Sequence, residues 1–489
     1  MWNTLSLFPV TFWLAAPAMI YACFYSWQIR GTAVGIPMLA VLVTVGFWYF
    51  GDVFYNDYAD YCAELSTSAR DQAWMEVLIF VFAFGFLTPL VHRWLNAKLL
   101  GRTSRILQFV RTGEVKKARF QIQIDRVCYA LLIPWLGIMA LALVRTNFDV
   151  EGLFAPFLTE YAAPWSRARL GAGYDSLLSV IDYTQIGLAA AFGVIAGVAV
   201  RPRTLITALL VCALTLPAYI FESSRGTILV TLLPGFFAFV FLRIRVHFIV
   251  RLFLLVLGFW IFQSWLLFII DARAELTISE AFRARLAGKV INDDSGGKHA
   301  GLNMFEELCW VNTFVQNGSL PPNWGIGYLA ELANPIPRVI WPGKPTLGLD
   351  YAVLRDTENE TMEDVEEGQG ATVSTGMIGQ GVLNFGIVFG PIGAALIMSL
   401  WVSLLARQDL LEDDLWRLCL YGLGLVLTFN MGRDVTLLVT YPFVFGYLLF
   451  LVAKFFTPAR NSSSTSSSGQ EPHPVLRLRL ANVSPNARR

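Results

Sequence analysis

Phe248-Ile-Val-Arg-Leu-Phe-Leu-Leu-Val-Leu-Gly-Phe-Trp-Ile-Phe-Gln-Ser-Trp-Leu-Leu-Phe-Ile-Ile270 carries a single charge, Arg251. A membrane-spanning helix needs roughly 20 predominantly apolar residues, so this stretch is predicted to cross a bilayer. Comparable runs occupy about 5–29, 31–50, 73–91, 127–146, 177–200, 204–221, 227–242, 382–405, 416–432 and 435–453. The 489-residue chain is 55% hydrophobic and 15% charged, with a mean hydropathy of +0.55. Soluble proteins are about 25% charged, so the composition points to lipid. The run 5–29 is too long, and lacks the cationic start, for a cleavable signal peptide. The expected fold is an all-α polytopic membrane protein of about eleven (10–12) transmembrane helices with one large, partly helical external loop.

A net charge of +1 says little about partners, because the charge is segregated. Arg93, Lys98, Arg102, Arg105, Arg111, Lys116, Lys117, Arg119 and Arg126 crowd the loop 92–126, against Glu114 and Asp125. The positive-inside rule puts that loop in the cytoplasm, beside anionic headgroups, and no nucleic-acid partner is expected. The loop 51–72, with Asp52, Asp57, Asp60, Glu64 and Asp71, suits the opposite side. Eleven spans then place Arg201-Pro-Arg203, Arg243-Ile-Arg245 and the basic tail in the cytoplasm as well. The chain divides into an N-terminal bundle (1–270), an outer loop (271–372), a C-terminal membrane segment (373–456) and a Ser-rich tail without a core (457–489).

The outer loop holds sixteen acidic residues against eight Lys or Arg. Ala281–Leu286 reads as the start of an interfacial helix. Over 303–317, helical spacing puts Met304, Leu308, Val311 and Val315 on one face. Pro335-Ile-Pro-Arg338-Val-Ile-Trp341-Pro-Gly-Lys344-Pro345 follows, a proline-stiffened shelf with two cations and a Trp. The acidic run 356–367 lacks a calcium-loop register, and reads as a solvated surface or lid. Gly370, Gly376, Gly379, Gly381, Gly386, Gly390 and Gly393 mark the return to the membrane, where small residues permit close approach of helices or of a ligand.

Six dispersed cysteines form no CxxC pair, and only Cys62 and Cys309 fall in outer loops, where two unrelated thiols are favoured over a disulfide. Four scattered histidines, of which His299 alone lies in an outer loop, cannot supply a zinc site, so neither metal nor other cofactor is expected. Charges near membrane depth are costly and usually functional. Glu222-Ser-Ser-Arg225-Gly226 and Arg433-Asp434 sit in short outer turns between spans; Glu76 and Asp182 lie within or near spans. With Arg338 and Lys344, the two turns present four cations on one side. A guanidinium fork matches phosphate oxygens and keeps its charge. Such cations favour a lipid-linked pyrophosphate, whose charge grows as the bond to an anomeric carbon breaks. The attacking hydroxyl requires at most one general base.

Pro-x-Pro-Arg-x-x-Trp-Pro-x-Lys-Pro in the outer loop, Ser-Arg-Gly at a span start, and Gly-x-x-x-x-Asn-Phe-Gly after the loop resemble the bacterial O-antigen polymerase (Wzy-type) family. The resemblance covers about 220–390. It implies an inner-membrane, GT-C-like glycosyltransferase, inverting and metal-independent. Such an enzyme joins undecaprenyl-pyrophosphate-linked oligosaccharides into a surface polysaccharide (O-antigen, capsule or exopolysaccharide) at the periplasmic face, with a chain-length regulator as a further partner. It implies that Arg225 and Arg338 contact pyrophosphate, helped by Lys344, with Asn384 near the sugar path; the outer turns and loop add Arg433, Trp341 and His299 as further substrate-side candidates. The base stays open between Asp434, Glu222, His299 and a loop carboxylate such as Glu306. An O-antigen-type ligase, and a transporter or flippase of lipid-linked sugars, are the alternatives.

Overall fold

The computed structural model describes residues 7–56, 58–100, 102, 104–105, 118–154, 175–220, 225–243, 247–272, 303–333, 336–337, 339–343, 349–355, 374–411, 415–433 and 437–456. Among these residues the regular elements are helical and no strand occurs. In chain order they are α1 (Val10–Gln28), α2 (Gly35–Val45, continued by a π-turn at Gly46–Phe50 and by Gly51–Tyr55), α3 (Tyr58–Glu64), α4 (Thr67–Leu95, followed by a 3-10 turn at Ala97–Leu99), α5 (Ala118–Arg145, followed by a short helical turn at Val150–Phe154), α6 (Asp175–Val198) and α7 (Pro202–Ile220). Then come α8 (Arg225–Ala238, with a π-turn at Phe239–Arg243), α9 (Phe248–Ala272), α10 (Met304–Gln316), α11 (Ile326–Ala333), α12 (Leu349–Leu354), α13 (Gly376–Leu410), α14 (Leu415–Met431) and α15 (Leu437–Phe456). Within the described residues, seven helices are long and apolar enough to cross a membrane: α1, α2, α4, α5, α6, α7 and α13.

α4 shows how the sequence builds such a helix. The Ser66 hydroxyl accepts from the Ala69 N–H (3.1 Å) at its start, and His92 and Arg93 lie in its last turn, where cations complement the helix dipole. Trp74, Val77, Phe80 and Phe84 are buried in the bundle, whereas Phe82, Phe86 and Leu90 are exposed on the side that meets lipid.

Polar contacts fix the helix directions. Thr88 Oγ1 lies 3.0 Å from Ser399 Oγ, and the Asn96 side-chain amide donates to the Ser403 carbonyl (3.0 Å). The Arg105 N–H donates to Asp409 Oδ1 (3.0 Å), so α4 and α13 run parallel and end together. Ala33, just before α2, packs at the same end with Ala406 and Leu410. The start of α5 meets the end of α6 through the Gln121 side chain and the Val198 carbonyl (3.3 Å), and Asp125 pairs with Arg201. Arg243, at the end of α8, donates to the Ala199 carbonyl (2.7 Å). Arginine-bearing ends thus collect on what is here called the basic face. The opposite, acidic face gathers α3, the start of α4 and the loop helix α10.

α13 is two helices rather than one. At Gly386 the backbone takes φ 76° and ψ 177°, a conformation essentially reserved for glycine. A Cβ added to Gly390 would stand 2.5 Å from the backbone of Val382, and Gly381 meets the Gly390 carbonyl as closely. On a straight helix Gly381 and Gly390 would be about 13 Å apart. The chain therefore doubles back: a short arm, 376–385, folds against a long arm, 387–410, of about 36 Å. This corrects the expected span 382–405, which started inside the bend. An apolar run with mild glycine enrichment gives no sign of its own reversal.

Candidate functional site

α10 belongs to the outer loop by sequence, yet it is sunk among α2, α4 and the short arm of α13. Met304, Phe305, Leu308, Cys309 and Val311 are buried, and the Phe305 ring stacks on Trp74 with centroids 4.4 Å apart. Leu308 and Val311 pack where Gly379 leaves room. The expected face of Met304, Leu308 and Val311 is thus the buried one, and Val315 packs at its edge. Glu306, Glu307 and Asn312 of the same helix are buried too.

Asp52 anchors its start. Oδ2 accepts from the N–H groups of Phe305 (2.7 Å) and Glu306 (3.3 Å), while Oδ1 accepts from Asn56 (2.7 Å) and the Tyr61 hydroxyl (2.8 Å). A carboxylate at a helix N-terminus satisfies orphan donors and complements the dipole. Farther along, Asn312 donates to Glu76 Oε2 (2.9 Å), so the carboxylate within α4 is held by a loop residue.

A second cluster ties α12 down. Arg355 donates to Glu307 through Nε (3.2 Å) and Nη2 (3.1 Å), and to Glu306 through Nη2 (3.2 Å). The Tyr351 hydroxyl donates to Glu307 Oε2, and Asn303 donates to Oε1 (3.0 Å). The guanidinium also lies over the Trp310 ring, 4.7 Å from its centroid. Burial opposes the Arg355 cation, but the hydrogen bonds and charge of Glu307, with Tyr351 and Glu306 behind, outweigh it and raise its pKa above the ordinary arginine value. Burial, then the charge of Glu307, push the Tyr351 phenol well above its usual range. Glu306, buried and engaged with Arg355, is a structural partner here rather than an open base.

Beside this cluster the turn after α14 closes on the start of α13. The Met377 N–H donates to the Gly432 carbonyl (3.2 Å), and the Ile378 N–H donates to the Tyr49 hydroxyl (2.9 Å) in the π-turn of α2. Trp48 Nε1 donates to the Phe429 carbonyl (2.8 Å). Arg433 projects from this turn, exposed, with its Nε donating to Ser374 Oγ (2.9 Å). Donors at the start of α13 are thus taken by protein groups, and Arg433 is left as a cation available at the acidic face.

Besides Glu76 and Glu306, and Asp182 within α6, the residues singled out from sequence that are described are Arg433, Trp341 and Asn384. Arg225 is the first residue of α8, and only its backbone is described. α8 runs parallel to α6, Gly235 packing on Gly193 and Phe239 on Gly197, so Arg225 stands at the end opposite Arg243. Trp341 is exposed, in a turn closed by its N–H on the Pro337 carbonyl (3.1 Å). Asn384 is buried and turned to the backbone: it accepts from the Tyr328 N–H (3.2 Å) and donates to the Gln380 carbonyl (2.8 Å). Glu222, His299, Arg338, Lys344 and Asp434 lie outside the described residues, as does Ala281–Leu286. No contact joins Arg433, Trp341 and Asn384 among the described residues. Sequence reasoning missed Asp52, Glu307, Tyr351 and Arg355 as a group. The one signal was an unbroken apolar run ending on Asp52, read as the edge of a loop. Cys62 and Cys309 do not form a disulfide, and the Arg70 guanidinium donates to the Cys62 sulfur.

No protein-family model, no curated protein and no solved structure matches the chain.

Proposed function

We propose that the protein is a membrane glycosyltransferase that polymerises undecaprenyl-pyrophosphate-linked oligosaccharide repeat units into a surface polysaccharide. In this reading the chain crosses the bacterial inner membrane about eleven times, and the acidic face is periplasmic. The observation that carries it is the gathering of a loop helix, the exposed Arg433 turn and the Arg225 end of α8 at one face, away from the basic ends. Arg225, Arg338 and Arg433 stabilise charge developing on the leaving pyrophosphate oxygen as the acceptor hydroxyl attacks the anomeric carbon from the other side. A general base takes the hydroxyl proton, with Asp434, Glu222 and His299 as the candidates.

Arg225→Ala and Arg433→Ala, each in full-length protein in its host, are expected to abolish long polymer while the protein level holds. Normal chain lengths in both would sink the reading. Full-length polymer left on lipid would indicate a ligase instead. A transporter of lipid-linked sugars is the second reading, favoured by carboxylates at Glu76 and Asp182. It wins if purified protein moves labelled lipid-linked sugar across liposomes unchanged.

A further inference from the structure

α11 is inside out. Ile326, Leu329 and Leu332 are 55, 52 and 63% exposed, while Glu331 is 5% exposed and lies inward with Ala330 and Ala333. A helix facing water carries these two sets the other way round. The segments on either side repeat the pattern: Trp324, with a left-handed φ of 54°, is exposed, as are Val339, Ile340 and Trp341.

The surroundings indicate what covers this face. The N–H of Tyr328 is held by Asn384 beside the Gly386 bend, and its ring lies 5.9 Å from that of Phe385. The other side of α11 packs against α15, where Glu331 acts electrostatically on Tyr441. Tyr441 is about 6 Å along α15 from its start, so α11 lies roughly one turn inside the end of the bundle. The exposed Val388 and Phe389, just past the bend, and Val444 and Leu448 of α15 continue the same apolar band. Trp residues flanking such a band are characteristic of the bilayer interface.

Behind the helix two phenols are in an unusual state. Tyr441 is 3% exposed, and the hydroxyl oxygens of Tyr441 and Tyr328 are buried without a hydrogen-bond partner among the described residues. Tyr183 meets the Tyr441 ring edge-on at 5.2 Å. Buried hydroxyls are ordinarily paired, so two in one place mark a site awaiting polar groups. Phenols and a carboxylate, with aromatic faces beside them, suit the hydroxyls and C–H faces of a sugar.

We propose that α11 lies at the headgroup–acyl boundary with Ile326, Leu329 and Leu332 toward the acyl chains, and that Tyr328, Glu331 and Tyr441 on its inner side form a subsite for the sugar head of a lipid-anchored ligand. The sugar part rests on the function proposed above; the lipid contact does not.

The test uses full-length protein in nanodiscs. Leu329→Cys carrying a bimane label, with the signal of identically treated unsubstituted protein subtracted, is expected to be quenched at least twofold more by lipids brominated at the 6,7 acyl positions than by unbrominated lipids. A label that is water-quenched, or buried yet untouched by bromine as under a second copy or another protein, overturns the lipid contact. For the subsite, Glu331→Gln and Tyr441→Phe are expected to weaken binding of a short-chain polyprenyl-pyrophosphate disaccharide about tenfold, while binding of the sugar-free polyprenyl pyrophosphate stays unchanged. Equal loss for both probes overturns the sugar assignment. If unsubstituted protein binds neither probe, the proposed function and the subsite fall together, and the bromine result still decides the lipid contact.

Discussion

Thr88 and Ser399 bring their hydroxyl oxygens to 3.0 Å of each other across two helices that run in the same direction. Parallel neighbours separated by 311 residues require an odd number of intervening crossings, which constrains the topology more tightly than hydropathy does. With both positions changed to cysteine, mild oxidation is expected to join peptides from α4 and α13, while neither single variant does so. A double variant that stays reduced would place the helices in another register.

Asp52 accepts four hydrogen bonds, two of them from the start of α10. Asp52→Ala leaves those neutral donors without their acceptor in a buried setting, at a cost of about 1–3 kcal/mol for each one left unsatisfied. A clear drop in the thermal midpoint in detergent is expected, with a smaller one for Asp52→Asn. An unchanged midpoint for the alanine variant would show that α10 holds without this anchor.

Arg355 binds Glu307 through two nitrogens and Glu306 through one of them. Arg355→Ala removes the cation facing two buried carboxylates, and Arg355→Lys retains the charge without the fork. Hydrogen exchange over 304–316 is expected to rise at least tenfold for alanine and less for lysine. Identical protection in both variants would refute the clamp.

Gly386 bears a backbone conformation that costs about 1–3 kcal/mol for any other residue. Gly386→Ala is expected to reduce the yield of folded protein. Gly422→Ala, where a new Cβ meets nothing within 4 Å, is the control and is expected to be neutral or stabilising. Equal behaviour of the two variants would mean that the hairpin is not under the control of Gly386.

Much of the bundle was legible because lipid imposes a simple rule: apolar runs of sufficient length become helices. The runs 73–91 and 248–270 fall inside α4 and α9. The burial of α10 was not legible, because Met304, Leu308 and Val311 give the same periodicity whether their helix lies on a surface or fills a slot. Nor was the bend at Gly386, since hydropathy sums composition without direction. Asn384 drew attention as a polar residue near a ligand path. In the fold its amide bonds backbone groups of α11 and of its own helix, contacts that depend on which segments meet after the reversal.

The bond from Phe305 to Asp52 joins residues 253 positions apart. Synthesis at about 5–20 residues per second puts roughly 10–50 s between the appearance of the two. Throughout that interval the early helices stand in the membrane around an unfilled groove, with an acidic side chain lacking its final donors. Maturation is therefore expected to end by threading a late segment back into an early cavity. The half-made protein would be the form most exposed to quality-control proteases, until α10 and then the short arm of α13 close the groove.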